Sequence, residues 1–131
     1  MNALRVVALC AVLSWAVAQA SDPVDAAVAS RAAVAAAIAS PDRPKADLER
    51  DAVARPTEVL AFLGVVPGMR VVDMFSASGY YTELLARTVG VKGQVIAYNN
   101  PPYARFAEKG IAQRYADERL GNVRQITAEV G

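Results

Sequence analysis

The chain has 131 residues, with 14 lysines and arginines against 13 aspartates and glutamates, and a formal net charge of +1 at pH 7. It contains no histidine and one cysteine, which excludes Ser-His-Asp catalysis and metal sites built on clusters of histidine or cysteine. The near-neutral charge gives no indication of a polyanionic partner, so no nucleic-acid partner is expected.

Residues 1–20 have the three-part composition of a secretory signal peptide. Arg5 supplies the positive charge, Val6 to Val17 is apolar apart from Ser14, and Ala18-Gln19-Ala20 places small residues before the predicted cleavage site. The apolar run is too short for a membrane span, which takes roughly 20 residues. We expect cleavage after Ala20, a periplasmic or secreted location, and no stable membrane span in the mature chain.

Residues 21–54 are predicted to form an N-terminal helical arm. The stretch from Val24 to Ser40 is rich in alanine and reads as a helix, and its low bulk predicts loose docking or mobility. A second helix begins near Lys45, where the charges from Asp47 to Asp51 indicate a solvated face. A third begins at Pro56 and ends before Gly64.

From residue 70 the pattern changes to short β-rich runs separated by helices. We predict strands at Arg70–Asp73, Gln94–Tyr98 and Val123–Thr127, with helices at Tyr80–Val89 and from about Ala104 to Leu120. This alternation is typical of βαβ units and a parallel sheet. Residues 55–131 are therefore assigned to a partial Rossmann-like α/β domain, in which only the first three strands of the sheet are present.

The end of the first strand carries the pattern of a nucleotide-binding turn. Asp73 closes the strand, and the small residues Ser76 to Gly79 lead into the following helix. Small residues let the backbone approach a ligand, and the free N–H groups at a helix start attract negative charge. The loop is therefore the candidate ligand site.

This segment resembles the first motif of class I S-adenosylmethionine-dependent methyltransferases. Arg55-Pro56, Pro67-Gly68 and the helix from Gly79 to Arg87 are similar to a group of bacterial predicted methyltransferases that often carry export signals. The likeness covers about residues 40–127. It implies S-adenosylmethionine as a small-molecule cofactor and a methyl acceptor that the sequence does not identify.

The resemblance also implies roles for particular residues, although it identifies no catalytic ones. Asp73 would support the loop and the methionyl amino group, the ribose would be held by Asn99 or Asn100, and backbone would be presented to the cofactor by Ser76, Ala77, Ser78 and Gly79. Structural roles stay open: Asp73 as a helix cap, Gly79 for close packing, and the two asparagines in a plain turn.

Two departures from the methyltransferase pattern bear on cofactor affinity. Phe75 and Ala77 stand where glycine is usual, so the alanine methyl group could crowd the cofactor or force the loop to shift. Asparagines follow the second strand where an acidic residue is usual, although an amide can still accept one hydroxyl hydrogen bond.

The sequence leaves three other interpretations open. Asn100-Pro101-Pro102-Tyr103 resembles the catalytic tetrapeptide of amino-group DNA methyltransferases, but there it follows the fourth strand and here the second. A dinucleotide-binding oxidoreductase would show a G-x-G-x-x-G fingerprint, which is absent. A non-catalytic envelope protein using the unit as a scaffold is favoured by the lost glycines.

Ligands of doubly wound sheets bind where the strand order reverses, beside a strand that follows the first three. We therefore expect residues 1–131 to form only one side of the ligand-binding cleft and to expose the edge of the first strand. Alone, they should show no methyltransferase activity.

The signal peptide yields a direct prediction. Because Ala18-Gln19-Ala20 matches the cleavage pattern, the mature chain should begin at Ser21 and lie outside the cytoplasm. The intact mass of material recovered from the periplasm or medium measures this. Cytoplasmic protein that still carries Met1 would contradict it.

Overall fold

The structure is a computed structural model, and it describes residues 22–129; the predicted signal peptide lies outside them. In chain order, the elements are α1 (Pro23–Ile38), α2 (Lys45–Ala54), α3 (Pro56–Phe62), β1 (Arg70–Met74), α4 (Tyr80–Val89), β2 (Gln94–Asn99), α5 (Pro101–Arg114), a short 3-10 helix (Ala116–Glu118) and β3 (Val123–Thr127). Within the described range, no helix is both long and apolar enough to cross a membrane.

The three strands form one parallel sheet in the order β1-β2-β3. Val71 pairs with Val95, and Val95 pairs with Val123, so apolar side chains of all three strands share one face. Parallel strands need crossover connections, and α4 and α5 supply them. The predicted Rossmann-like α/β class, a parallel sheet with flanking helices preceded by N-terminal helices, is confirmed.

The core lies between the sheet and α4. Leu84 and Val89 of α4 are fully buried with Val95 of β2, and Leu60 of α3 joins the same cluster. The helical spacing of apolar residues in α4 places this stripe against the sheet. Gly90 follows the helix with a φ of 66°, which suits glycine as the terminating residue.

Helix α1 is packed more closely than its composition predicts. Val34 and Ala37 are 1% and 2% exposed within the core cluster, and the Ser30 hydroxyl donates to the Val65 carbonyl at 2.6 Å. Alanine carries no bulk that would hold α1 away from its neighbours, so the helix approaches α3 and α4 directly. The expectation of loose docking is wrong for this half of the helix, whereas Val24 and Val28 at its start are exposed.

Helix α2 also differs from its predicted solvated face. The side chains of Lys45 and Glu49 are exposed, at 90% and 69%, as expected. Asp47, in contrast, is 7% exposed, and Asp51 accepts two hydrogen bonds from the buried Arg43. The carboxylates face inward because arginines from elsewhere in the fold pair with them, which the sequence of α2 alone does not reveal.

Helix α5 begins and ends earlier than predicted. The Asn100 side chain accepts a hydrogen bond from the Tyr103 N–H at 2.9 Å, and Pro101 occupies the first helical position. Proline fits there because its ring presets φ and the first turn needs no N–H partner. Tyr115 caps the end of α5, and the left-handed φ of 53° at Asp117 lies within the 3-10 helix that follows.

Gly93 provides a test of the packing at the start of β2. A Cβ atom there would lie 2.5 Å from Val89 Cβ and 2.7 Å from the Met69 carbonyl, whereas at Gly121 the Glu118 carbonyl would be 3.9 Å away. Gly93→Ala should lower the free energy of unfolding by about 1–3 kcal/mol, and Gly121→Ala should change it little. Thermal melts compare the two, and equal losses would contradict the close packing.

Candidate functional site

The loop between β1 and α4, residues 75–79, lies at the carboxyl edge of the sheet. The Ser76 N–H donates to the Tyr98 carbonyl at 3.0 Å, which rests the loop on the end of β2. The structure thereby brings Asp73, the Ser76–Gly79 segment and Asn99 together, with Asn100 next along the chain. Parallel α/β sheets bind their ligands at this edge.

The loop alternates residues in the left-handed region. Phe75, Ala77 and Gly79 have φ values of 58°, 49° and 84°. Only glycine adopts this region freely, and a residue with a Cβ atom is strained there by about 1–2 kcal/mol. The loop therefore keeps left-handed backbone at the two positions where methyltransferases usually have glycine.

The Asn99 side chain holds this loop. Its Oδ1 accepts from the Ala77 N–H at 2.9 Å, and its Nδ2 donates to the Ala77 carbonyl at 3.3 Å. Asn99 is 5% exposed, and the neighbouring Asn100 caps α5. Both amides thus have structural partners, and the ribose contact proposed for them stays a prediction.

Asp73 links the end of β1 to the first turn of α4. Its Oδ2 accepts from the Thr82 hydroxyl at 2.6 Å. The residue that precedes α4 is Gly79, which has no side chain with which to cap the helix. Burial raises the pKa of Asp73 above its ordinary value, against the opposing effect of the Thr82 hydrogen bond. Its Oδ1 makes no hydrogen bond within residues 22–129, so one carboxylate oxygen is free for a ligand.

Ser76 offers a second polar group in the loop. The residue is 9% exposed, and its hydroxyl has no hydrogen-bond partner among the described residues. A buried hydroxyl left without a partner costs about 1–3 kcal/mol, which a ligand would remove. With the free N–H groups at the start of α4, Asp73 and Ser76 fit a ligand that carries both an amino and a carboxylate group, such as the methionyl end of S-adenosylmethionine.

The end of α5 packs against the other side of the loop. A Cβ atom on Gly79 would lie 2.8 Å from Arg114 Cδ and 3.0 Å from the Tyr115 hydroxyl, and one on Gly110 would overlap Ser78. Gly79 is therefore required by packing as well as by its φ. Gly110 and Arg114 were not predicted from the sequence, because α5 shows no motif that relates it to the loop.

Arg114 belongs to a buried ionic cluster. It contacts Asp47 at 2.7 Å and Glu83 at 2.6 Å, while Arg87 and Arg119 also bind Glu83, at 2.8 and 3.0 Å. Burial alone would raise the pKa of Glu83, but hydrogen bonds from the three arginines outweigh it and lower that pKa below its ordinary value. Glu83, which is 0% exposed, is thereby held as a carboxylate.

The two tyrosines at the start of α4 are core and brace residues. Tyr80 is 2% exposed, and its hydroxyl donates to Asp51 at 2.7 Å. Burial and the bond to Asp51 raise the pKa of Tyr80. The Tyr81 hydroxyl donates to the Ala54 carbonyl at 2.9 Å. These contacts tie α2 to α4, and neither tyrosine is placed for proton transfer.

Aromatic side chains border the loop on its exposed side. Phe75 makes edge-to-face contacts with Tyr98 and Tyr103, with ring centroids 5.9 and 5.8 Å apart. Phe75 and Tyr103 are 45% and 41% exposed. The loop therefore adjoins a partly exposed aromatic edge that could contact a flat ring.

One cavity lies away from the loop. About 910 Å³ in volume, it is lined by residues from the end of α1, the end of α4 and the turn before β3, and by none of the predicted site residues. In residues 22–129, no group of three or more histidine, cysteine, aspartate or glutamate side chains could hold a metal ion.

Comparison with known proteins identifies one family. The model of the protein-L-isoaspartate(D-aspartate) O-methyltransferase family matches residues 48–124, more than half of the chain. The match includes β1, the loop, α4, β2 and α5. No curated protein and no solved structure matches the chain.

The left-handed backbone conformation of Ala77 yields a testable prediction. Ala77→Gly should raise the free energy of unfolding by about 1 kcal/mol, because glycine removes the strain at a φ of 49°. In the exposed middle of α1, Ala32→Gly should lower it by about 0.5–1 kcal/mol. Denaturant unfolding measures both, and a loss of stability in Ala77→Gly would contradict the strained loop.

Proposed function

The chain belongs to the protein-L-isoaspartate(D-aspartate) O-methyltransferase family, and from this premise we propose that its loop from Asp73 to Gly79 binds S-adenosylmethionine for methyl transfer. Members of this class I methyltransferase family use S-adenosylmethionine as their methyl donor. The loop lies inside the matched residues, at the edge of the sheet where such folds bind ligands.

The observation that carries the proposal is the backbone of this loop. Phe75, Ala77 and Gly79 all adopt left-handed φ values, although two of them carry side chains that disfavour it. Strained backbone persists only where the surrounding structure enforces it, and such strain clusters at functional sites. A loop that served only to connect β1 and α4 would have no need of this shape.

Different residues at the loop would bind different parts of the cofactor. The free oxygen of Asp73 would accept from the methionyl amino group, and Ser76 with the N–H groups at the start of α4 would bind the carboxylate. Asn99 or Asn100 would meet the ribose, and the aromatic edge at Phe75 and Tyr103 would meet the adenine ring.

The bound cofactor would supply an electrophilic methyl group on a sulfonium. The chain itself contributes orientation, since a methyl transfer depends on the in-line approach of acceptor and donor. The family name specifies transfer to oxygen on L-isoaspartate or D-aspartate residues, so we propose a peptide carboxylate as the acceptor class. Binding of an isoaspartyl peptide, compared by calorimetry with the same peptide carrying an ordinary aspartate, tests this acceptor class without requiring turnover.

Export completes the proposal. The pattern of Arg5, the apolar run and Ala18-Gln19-Ala20 supports a periplasmic or secreted protein. Proteins outside the cytoplasm would then be the source of the acceptor carboxylates.

A non-catalytic scaffold is the second candidate, and specific observations favour it. Phe75 and Ala77 occupy glycine positions, and the polar atoms of Asn99 are engaged by the loop. A chain that binds no S-adenosylmethionine would support this candidate. The oxidoreductase alternative gains nothing from the family match.

Cofactor binding should depend on Asp73. Calorimetric titration with S-adenosylmethionine should show Asp73→Asn binding at least about tenfold more weakly than wild type, because a charge-assisted hydrogen bond contributes about 1.5–3 kcal/mol. The amide keeps the shape of the side chain and can still accept from Thr82. Asp25→Asn, on the exposed start of α1, is the matched control. Equal affinity in Asp73→Asn and wild type would refute the assignment of this loop.

A further inference from the structure

A carbonyl in the middle of the loop is bound by an arginine from the far end of α5. The Ser78 carbonyl accepts a hydrogen bond from Arg114 Nε at 2.5 Å, across 36 residues of sequence. Arg114 is 7% exposed, so water competes little for this charge-assisted bond. The end of α5 and the loop are therefore held together from the buried side.

The rest of the Arg114 guanidinium is held by two carboxylates. Nη1 donates to Asp47 at 2.7 Å and to Glu83 at 2.6 Å, and Nη2 donates to Asp47 at 3.1 Å. Because the guanidinium is planar and rigid, fixing its two Nη atoms also fixes the direction of the Nε–H bond. Asp47 in α2 thereby aims Arg114 at the Ser78 carbonyl.

The loop is thus held at two adjacent residues. Asn99 binds the N–H and carbonyl of Ala77, and Arg114 binds the carbonyl of Ser78. The strained φ of Ala77 and the left-handed Gly79 lie at this held segment. Removing one contact would allow the segment to relax toward unstrained backbone.

We propose that Arg114 is a positioning residue of the cofactor site, aimed by Asp47; this inference rests on the proposed function. Arg114 does not touch the ligand. It fixes the Ser78 carbonyl, and with it the direction in which Ser76 and the start of α4 face the cofactor. Asp47 lies just outside the residues matched by the family model, so the N-terminal helices contribute to cofactor affinity without contacting the cofactor.

The decisive variant is Arg114→Lys, which keeps the charge but loses the fork that reaches Ser78 and both carboxylates. Calorimetry with S-adenosylmethionine should show affinity reduced by about tenfold. Residue-resolved hydrogen exchange without ligand should show faster exchange at the amides of Ser76, Ala77 and Gly79, each of which is hydrogen-bonded. Amides inside β2 should exchange at the wild-type rate.

Arg87→Gln is the matched control. Arg87 binds the other carboxylate oxygen of Glu83, Oε1, at 2.8 Å, but it has no hydrogen bond to the loop among the described residues. It should leave both the loop exchange and the affinity unchanged. Asp47→Asn is the second variant for the case that Arg114→Lys does not fold, and it should change both readouts in the same direction as Arg114→Lys.

The outcomes separate the two proposals. Wild-type protein that does not bind S-adenosylmethionine refutes the proposed function, and the exchange rates still decide whether Arg114 holds the loop. The inference is overturned if Arg114→Lys leaves hydrogen exchange in the loop unchanged. If Arg114→Lys does not fold, the same result in Asp47→Asn overturns it. If wild-type protein binds S-adenosylmethionine and Arg114→Lys speeds loop exchange without lowering affinity, the inference is also overturned. It is likewise overturned if Arg87→Gln changes loop exchange and affinity as much as Arg114→Lys does.

Discussion

The structure depends on a buried carboxylate shared by three guanidinium groups. Glu83 is fully buried in α4, and Arg87, Arg114 and Arg119 surround it. Burying such charges costs several kcal/mol per ion, so Glu83 is tolerated in the core only while it keeps guanidinium partners. This need for partners constrains where the arginines lie more than it adds to the free energy of unfolding. It fixes the end of α5 against α4, and through Asp47 it fixes α2 on the same cluster.

This ionic cluster explains how a strained loop can persist beside it. Phe75 and Ala77 would leave the left-handed backbone region if the loop were free, since unstrained conformations are available to both residues. The loop is not free, because Asn99 holds it from β2 and Arg114 holds it from α5. The shape that glycines usually permit is here imposed by side chains. The loop therefore has left-handed backbone at Phe75 and Ala77 without glycine at either position.

The elements of the fold were predictable because local signals mark them. Proline at helix starts, glycine at helix ends and the change of hydrophobic period delimit α3, α4 and the three strands with little error. Asp73 and the loop were found for the same reason. The inward orientation of Asp47 was not predictable, since its partner Arg114 lies 67 residues away and Lys45 and Glu49 in the same helix face solvent. Nor did the sequence distinguish an asparagine that holds a loop from one that binds a ribose.

The helical arm and the Rossmann-like unit share one core and one ionic cluster. Val34 of α1 packs in the same cluster as Leu84 of α4, and Asp47 of α2 reaches the loop through Arg114. A nucleotide-binding turn is usually considered together with its strand and helix alone, because those elements carry its motif. In this chain the loop at the same position is contacted by Arg114, which is bound by Asp47, a residue that precedes the first strand. Because orientation governs methyl transfer, the N-terminal helices belong to the physical description of the candidate site even though they carry none of its recognisable motif.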